Sequence, residues 1–252
     1  MNPELSIVMP CLNEAETIAA CIKKAQTFMK ANGIEGEVVI GDNGSTDGSQ
    51  AIAKKLGAIV VNVAKKGYGN ASRGAIEASK GKYIITADTD DSHDILNLNL
   101  FIDNLRASSD LVMGNRFRGE NKKDSMPFLH RYVGNPILTF IGNLFFKTNL
   151  GDFHCGLRGF TRTAYNKMNL STTGMEFASE IIVKASLLNL NITEVPTTVF
   201  PAGRNRKAHL RTFPDGWRHL RFLLLYSPKW LFLIPGFLCM LTGIFGALYI
   251  LF

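Results

Sequence analysis

The chain has 252 residues, 46% of them hydrophobic and 19% charged. That balance excludes a disordered tail protein and allows one large domain or two small ones without disulfide staples. The net charge of +7 points to an acidic partner: nucleic acid, a phosphorylated ligand or an anionic membrane.

The excess is uneven. Between Pro201 and Lys229 lie seven basic residues (Arg204, Arg206, Lys207, Arg211, Arg218, Arg221, Lys229) and one acid, Asp215, so this window holds +6 of the +7. Residues 230–252, WLFLIPGFLCMLTGIFGALYILF, then run for 23 positions without a charge. A helix needs about 20 apolar residues to cross a bilayer core, so this segment is long enough to span. The cysteines Cys11, Cys21, Cys155 and Cys239 form no C-x-x-C pair. They read as reduced, cytosolic thiols with no zinc site. No basic segment followed by an apolar run opens the chain, so no signal peptide is expected.

In chain order, residues 5–9 form an apolar run that reads as a buried strand. Residues 13–30 repeat apolar side chains at three- and four-residue steps and read as a helix. Strands are expected at 37–41, 58–63, 82–87 and 111–114. A Gly-rich turn at 44–48 offers Thr46 or Asp47 as the next helix cap, and a further helix is expected over 67–80. Strands alternating with helices imply an α/β fold with a mostly parallel sheet. Ligands of such sheets bind beyond the carboxyl ends of the strands, which here carry residues 10–14, 42–45 and 88–94. Residues 127–147 are aromatic-rich and helical from Pro136. They suit either a core helix or one lying in a membrane interface. Residues 175–190 read as an amphipathic helix, and 192–199 as an edge strand because Pro196 interrupts it.

Six clusters carry candidate chemistry. Residues 88–94, DTDDSHD, place four carboxylates within seven positions. They repel one another unless a cation sits among them, and hard oxygen donors suit Mg²⁺ or Mn²⁺. In DNGSTDG, residues 42–48, Asp42 can accept hydrogen bonds from a base or ribose, while Asp47 suits a helix cap. Asn13 in PCLNE suits an N-cap, and a helix N-terminus also attracts anions. Lys65, Lys66, Gly67, Gly69 and Arg73 could cradle a phosphate or simply form a turn. GDFHCGLRGF, residues 151–160, sets Asp152, His154 and Arg158 close together, either as a site or as a hairpin with an internal Asp–Arg pair. The basic stretch 204–211 adjoins an apolar span and has no nucleic-acid module. Nucleic acid is therefore set aside in favour of anionic lipid or a phosphorylated substrate.

Taken in order and spacing, these motifs resemble family 2 glycosyltransferases of the GT-A fold. Within them the chain is most similar to polyprenyl-phosphate glycosyltransferases, the dolichol-phosphate mannose or glucose synthase group. SIVMPCLNEAETI resembles the opening strand with its P-x-x-N-E segment, and GDNGSTDGS the D-D-G-S-T-D-G turn with Asn43 replacing the second Asp. ADTDD resembles the D-x-D metal motif. MPFLHRYVGNPILT, GDFHCGLRGF and HLRFLLLYSPKWLFLIPG resemble the lipid-phosphate branch. The resemblance implies a Rossmann-like GT-A domain over 1–200 with an interfacial helix at 127–147. A basic juxtamembrane segment at 201–229 and a transmembrane helix at 230–252 follow, with a second span expected beyond.

By position, Pro10, Asn13, Glu14, Asp42, Lys66, Arg73 and Asp88 would contact a nucleotide sugar, UDP-linked in preference to GDP-linked. Asp88 and Asp90 would hold Mg²⁺ or Mn²⁺. Asp152 and Arg158 would serve catalysis, and Arg204, Arg206 and Lys207 would meet the acceptor phosphate. Some relatives place Gln where Ser92 stands, so Ser92, Asp91 or water is left to complete the metal shell. The implied reaction is inverting transfer of a sugar, glucose first, to a polyprenyl phosphate at the cytoplasmic membrane face. The rival readings are another lipid or glycan acceptor and a non-catalytic, membrane-tethered nucleotide-sugar binder. A homo-oligomer is compatible with either.

Overall fold

The structure is a computed structural model that describes residues 2–120, 122, 125–204 and 211–252. Its centre is a seven-stranded sheet. The strands are β1 (Leu5–Cys11), β2 (Gly36–Asp42), β3 (Ile59–Asn62), β4 (Tyr83–Thr86), β5 (Leu111–Asn115), β6 (Arg158–Thr161) and β7 (Ile192–Pro196). Their order is β3-β2-β1-β4-β6-β5-β7. Six strands run parallel, and β6 lies antiparallel between β4 and β5.

Both faces of the sheet are covered, which is why β1 is buried along its whole length and reads as a continuous apolar run. Alternate side chains sort to opposite faces. Leu5, Ile7, Met9 and Cys11 join one core cluster with α1 (Ile18–Ala31) and α4 (Asn99–Arg106). Val8 joins the other, with α3 (Tyr68–Ala78), α6 (Arg162–Met168) and α7 (Phe177–Leu187). The short helix α2 (Ser49–Lys55) follows β2. Close approach of β2 to α3 requires Gly41, because a Cβ there would lie 2.1 Å from the carbonyl oxygen of Ala71.

Two departures from the sequence expectations bear on the site. Asn13 does not cap α1, which starts at Ile18 behind Thr17. Asn13 instead adopts φ +57°, and its Oδ1 accepts the Thr46 N–H at 2.8 Å. Asx side chains tolerate this left-handed geometry better than most. The residues between β1 and α1 are thus a loop stitched to the turn after β2. The second departure is β6 itself, a four-residue strand inside the glycine-flanked 151–160 segment.

Beyond the sheet, helices present apolar surface outward. α5 (Asn135–Phe146) and α9 (Ile234–Leu251) are each entered through a π-helical turn, His130–Gly134 and Lys229–Leu233. Each turn precedes a proline, Pro136 or Pro235. Proline lacks an N–H and crowds the preceding turn, and a widened turn relieves both. Phe140 on α5 is 66% exposed, and Phe213 on α8 (Thr212–Leu225) is 79% exposed. Phe145 stacks on Trp230 at 5.1 Å, docking the start of the last helix onto α5. Residues 229–251 form the one helix among the described residues long and apolar enough to cross a membrane, and none of it is buried in the protein.

Replacing Gly41 with Ala is expected to lower stability by about 1–3 kcal/mol through overpacking against α3. Thermal unfolding of the detergent-solubilised chain checks this, and an unchanged midpoint would contradict the close approach.

Candidate active site

The carboxyl ends of β1, β2 and β4 lie side by side, since β1 pairs with both neighbours in parallel. They bring together three loops that sequence spacing separates. Thr89 ties two of them, its Oγ1 donating to the Pro10 carbonyl at 2.9 Å and its carbonyl accepting Thr17 Oγ1 at 2.6 Å. Glu14 and Asn13 are tied to the third, their N–H groups donating to Ser49 Oγ and Ser45 Oγ at 2.9 Å. The N-cap of α2 is Gly48, neither Thr46 nor Asp47; Asp47 stands one residue before it and accepts the Ser49 N–H at 3.0 Å.

Asp42 ends β2 and is only 1% exposed. Its Oδ2 accepts from Gly44 N–H (2.9 Å), Ser45 N–H (3.1 Å) and Gln50 Nε2 (2.7 Å). Its Oδ1 is buried without a partner. A buried acceptor left unpaired is costly, so it marks a place prepared for an outside donor. A cleft of about 350 Å³ is lined by Ser45 and Gln50, two of the groups that hold Asp42. Asn43 also has a defined role. Its amide donates to the carbonyls of Val63 and Lys65 (3.0 and 2.9 Å) and accepts the Gly67 N–H at 2.8 Å. An aspartate could not make the two donations. The loop so held lays Lys66 Nζ on the Asn43 carbonyl at 2.6 Å, over the Asp42 turn. Arg73 is drawn elsewhere, to Asn70 Oδ1 (3.0 Å) and the Leu170 carbonyl (3.3 Å).

After β4, Asp88 is gripped on both oxygens, by the Tyr68 hydroxyl at 3.1 Å and His93 Nε2 at 3.1 Å. Burial pushes its carboxyl up. The hydrogen bond and charge of His93, with Tyr68 and Arg204, outweigh that and hold it below the usual carboxylate value. Burial, with Asp88 beside it, pushes the Tyr68 hydroxyl well up, so it is a neutral donor. Asp90 Oδ1 accepts from the Ser92 N–H (3.1 Å) and Oγ (2.6 Å). Its Oδ2 faces Arg204 Nη2 at 3.2 Å. Asp91 turns away to Lys24 at 2.6 Å.

Arg204 also reaches Glu14 Oε1 through Nη1 at 2.6 Å. It therefore bridges the ends of β1 and β4. Arg206 and Lys207 lie outside the described residues.

The donor set suits a divalent ion shared with a ligand. Among the described residues no three His, Cys, Asp or Glu side chains form a metal cage. Mg²⁺ and Mn²⁺ are commonly bound by one or two carboxylates together with substrate phosphates, not by such a cage. A cationic guanidinium already occupies the Glu14–Asp90 gap, so the gap accepts positive charge.

The 151–160 segment resolves differently from an internal Asp–Arg pair. Asp152 is fully buried, and Arg116 grips it with two bonds, Nε to Oδ2 at 2.6 Å and Nη2 to Oδ1 at 2.8 Å. Arg116 follows β5, and its pKa is raised: burial lowers it, but the Asp152 carboxylate more than compensates. Arg158 is also buried, its guanidinium bonded to the carbonyls of Cys155, Ala178 and Phe153. Sequence reasoning missed Arg116, Tyr68 and His93. His93 stood inside the acidic cluster, but nothing in N-R-F-R linked Arg116 to a carboxylate 36 positions on.

Residues 6–168 match the profile described as Glycosyl transferase family 2. The chain belongs to that family. It is 44% identical over 243 residues to the low-salt glycan biosynthesis hexosyltransferase Agl6 of Haloferax volcanii, covering 96% of this chain but 58% of that protein. A dolichyl-phosphate hexose transferase of the same organism is 28% identical over 194 residues, covering 77% of this chain and 81% of its own length. Glucosyl-3-phosphoglycerate synthase from Mycobacterium tuberculosis, crystallised with Mn²⁺, UDP and glucosyl-3-phosphoglycerate, shares the GT-A fold. Its TM-score is 0.68 at 20% identity, over 90% of this chain and 80% of that one.

A histidine pair, His154 and the buried His219, adjoins Asp152. Ser179 Oγ lies 3.2 Å from His154 Nε2 and 2.8 Å from His219 Nδ1, joining α7 to α8. Burial and the nearby Arg158 charge push His219 down to about 4. From pH 6.5 down to about 4 the unfolded chain binds a proton that folded His219 does not. Stability is therefore lost as pH falls through that window. The His219→Gln variant should show a flatter decline of unfolding midpoint across it than the parent. Parallel profiles would contradict a buried neutral imidazole.

Proposed function

We propose that this glycosyltransferase moves a sugar from a nucleotide sugar to a polyprenyl phosphate at a membrane surface. The observation that carries the reading is Arg204. The basic segment leading into the apolar helix reaches the carboxylates at the strand ends, Glu14 and Asp90. A phosphate held by that segment from the membrane side and a donor held at the strand ends would meet in one place. The exposed aromatic faces of α5 and α8, beside the docked last helix, support seating in the headgroup layer. Basic residues preceding the span support a cytoplasmic catalytic domain.

In this reading Asp42 Oδ1 takes an N–H of the base, UDP in preference to GDP, and the loops carrying Pro10, Asn13 and Glu14 wall the nucleoside. Lys66 approaches the same nucleotide. Asp90, with Asp88 beside it, would hold Mg²⁺ or Mn²⁺ against the donor diphosphate. Bound there, such an ion would neutralise the departing diphosphate. The structural neighbour's Mn²⁺ and UDP and the dolichyl-phosphate relative support the donor and acceptor classes. Glucose is the first sugar to test.

The acceptor is a phosphate monoester with a second pKa near 6, so it is largely dianionic at pH 7. It attacks the anomeric carbon from the face opposite the diphosphate, inverting it in one displacement, without needing a proton removed. Asp152, held by Arg116, accordingly orients that guanidinium instead of acting as a base. Arg158 fixes the 153–158 turn, and Arg73 braces α3. Arg206 and Lys207, outside the described residues, are the cations assigned to the acceptor phosphate, while Arg204 stands between that segment and the donor carboxylates.

Incubation of the solubilised chain with labelled UDP-glucose, Mg²⁺ and polyprenyl phosphate should yield an organic-soluble label released by mild acid. Label appearing only on another lipid or glycan would overturn the acceptor, and absence of donor turnover with any acceptor would favour a binding protein. Asp90→Ala should abolish transfer. Asp152→Asn should retain measurable transfer, and complete loss in a folded Asn variant would restore the base role.

A further inference from the structure

Arg204 does more at the donor site than wait for a phosphate. Its guanidinium spans Glu14 Oε1 at 2.6 Å and Asp90 Oδ2 at 3.2 Å, and the three side chains are 11%, 5% and 14% exposed. The placement is built by backbone pairing. Phe200 N–H donates to the Ser92 carbonyl and Gly203 N–H to the Asp90 carbonyl, both at 2.9 Å. Val199 bridges His93 as an antiparallel pair. The segment ending in Arg204 thus runs along residues 90–93 and delivers a fixed positive charge to the carboxylate that the proposed function gives to the metal.

The geometry points to competition between Arg204 and the divalent cation for Asp90 and Glu14, so that the metal enters with the nucleotide diphosphate as a chelate and not ahead of it. This rests on the proposed function, in which Asp90 is a metal ligand. Two cations cannot share Asp90 Oδ2 within a few ångströms without strong repulsion in a half-buried site. Without nucleotide, the guanidinium satisfies both carboxylates and metal affinity is low. Removing one partner from a buried pair leaves an uncompensated charge, so a bare metal ion must also meet the cost of freeing Arg204. A diphosphate changes the balance by adding anionic oxygens that ligate the ion and accept from Arg204 together. The coupling is reciprocal: nucleotide tightens metal, and metal tightens nucleotide.

The test measures Mn²⁺ binding by the free-ion electron paramagnetic resonance signal, on the full solubilised chain, with and without UDP. The parent should bind Mn²⁺ weakly alone and far more tightly with UDP. Arg204→Gln should bind Mn²⁺ alone roughly tenfold or more tighter than the parent. It should also show a smaller gain from UDP. Arg204→Lys, which keeps the charge, should restore weak binding, a pattern that mere loss of structure would not produce. Equal or weaker Mn²⁺ affinity in Arg204→Gln overturns the inference. An Asp90→Asn variant that binds Mn²⁺ with UDP as well as the parent does removes Asp90 from the metal site. In that case the reading of the site fails, and the inference falls with it.

Discussion

The parallel sheet creates an electrostatic problem on which the rest of the structure turns. Placing β2, β1 and β4 side by side aligns their carboxyl ends, and those ends carry Glu14, Asp42, Asp88 and Asp90. Four carboxylates in one half-buried edge would repel one another strongly in a medium less polar than water. The chain answers each separately: backbone N–H groups and Gln50 for Asp42, Tyr68 and His93 for Asp88, Ser92 for Asp90, and the Arg204 guanidinium across Glu14 and Asp90. These answers are partial. Asp42 keeps one oxygen unpaired, and the bridging cation comes from a segment remote in sequence. An edge balanced in this way is suited to receive a nucleotide whose base donates and whose diphosphate carries its own counter-ion.

The other half of the molecule couples that edge to a surface. Asp152 and Arg116 form a buried, two-bond pair behind the 151–160 turn. Next to it, His154, Ser179 and His219 link the turn through α7 to α8, whose outer face is apolar and aromatic. Phe145 and Trp230 fix the long apolar helix to α5. Contacts of these kinds transmit position well, because packed side chains and buried polar networks have few alternative arrangements. The strand-end edge and the apolar platform are thereby held in one frame, as the proposed transfer from a soluble donor to a lipid acceptor would require.

Much of this was legible in sequence, for definite reasons. β1, β2, β4 and β5 are buried on both faces, so their apolar runs stand out, and Asp42 and Asp88 were placed correctly at strand ends. The edge strand β7 was betrayed by Pro196. What escaped depends on long-range pairing. β6 is a four-residue strand with no alternation to mark it, made a strand only by its neighbours β4 and β5. Asn13 looked like a helix cap because its side chain suits one, yet its bond runs to Thr46, 33 positions away. Arg158 lies near Asp152 in sequence, but the carboxylate pairs with Arg116, just beyond the end of β5. Arg204, which the resemblance gives to the acceptor phosphate, reaches Glu14 and Asp90, contacts that its basic neighbours in sequence do not reveal.

The proposed function stands or falls with a nucleotide-diphosphate site at the strand-end carboxylates, facing the basic segment that leads into the apolar helix. A crystal structure of the chain with UDP and Mn²⁺ tests it most directly. The expected result is the uracil against Asp42 Oδ1, anomalous density for the ion between Asp90 and the diphosphate, and Arg204 turned from Glu14 to a phosphate oxygen. Nucleotide bound away from Asp42, or an ion seated with the Arg204 bridge intact, would contradict it.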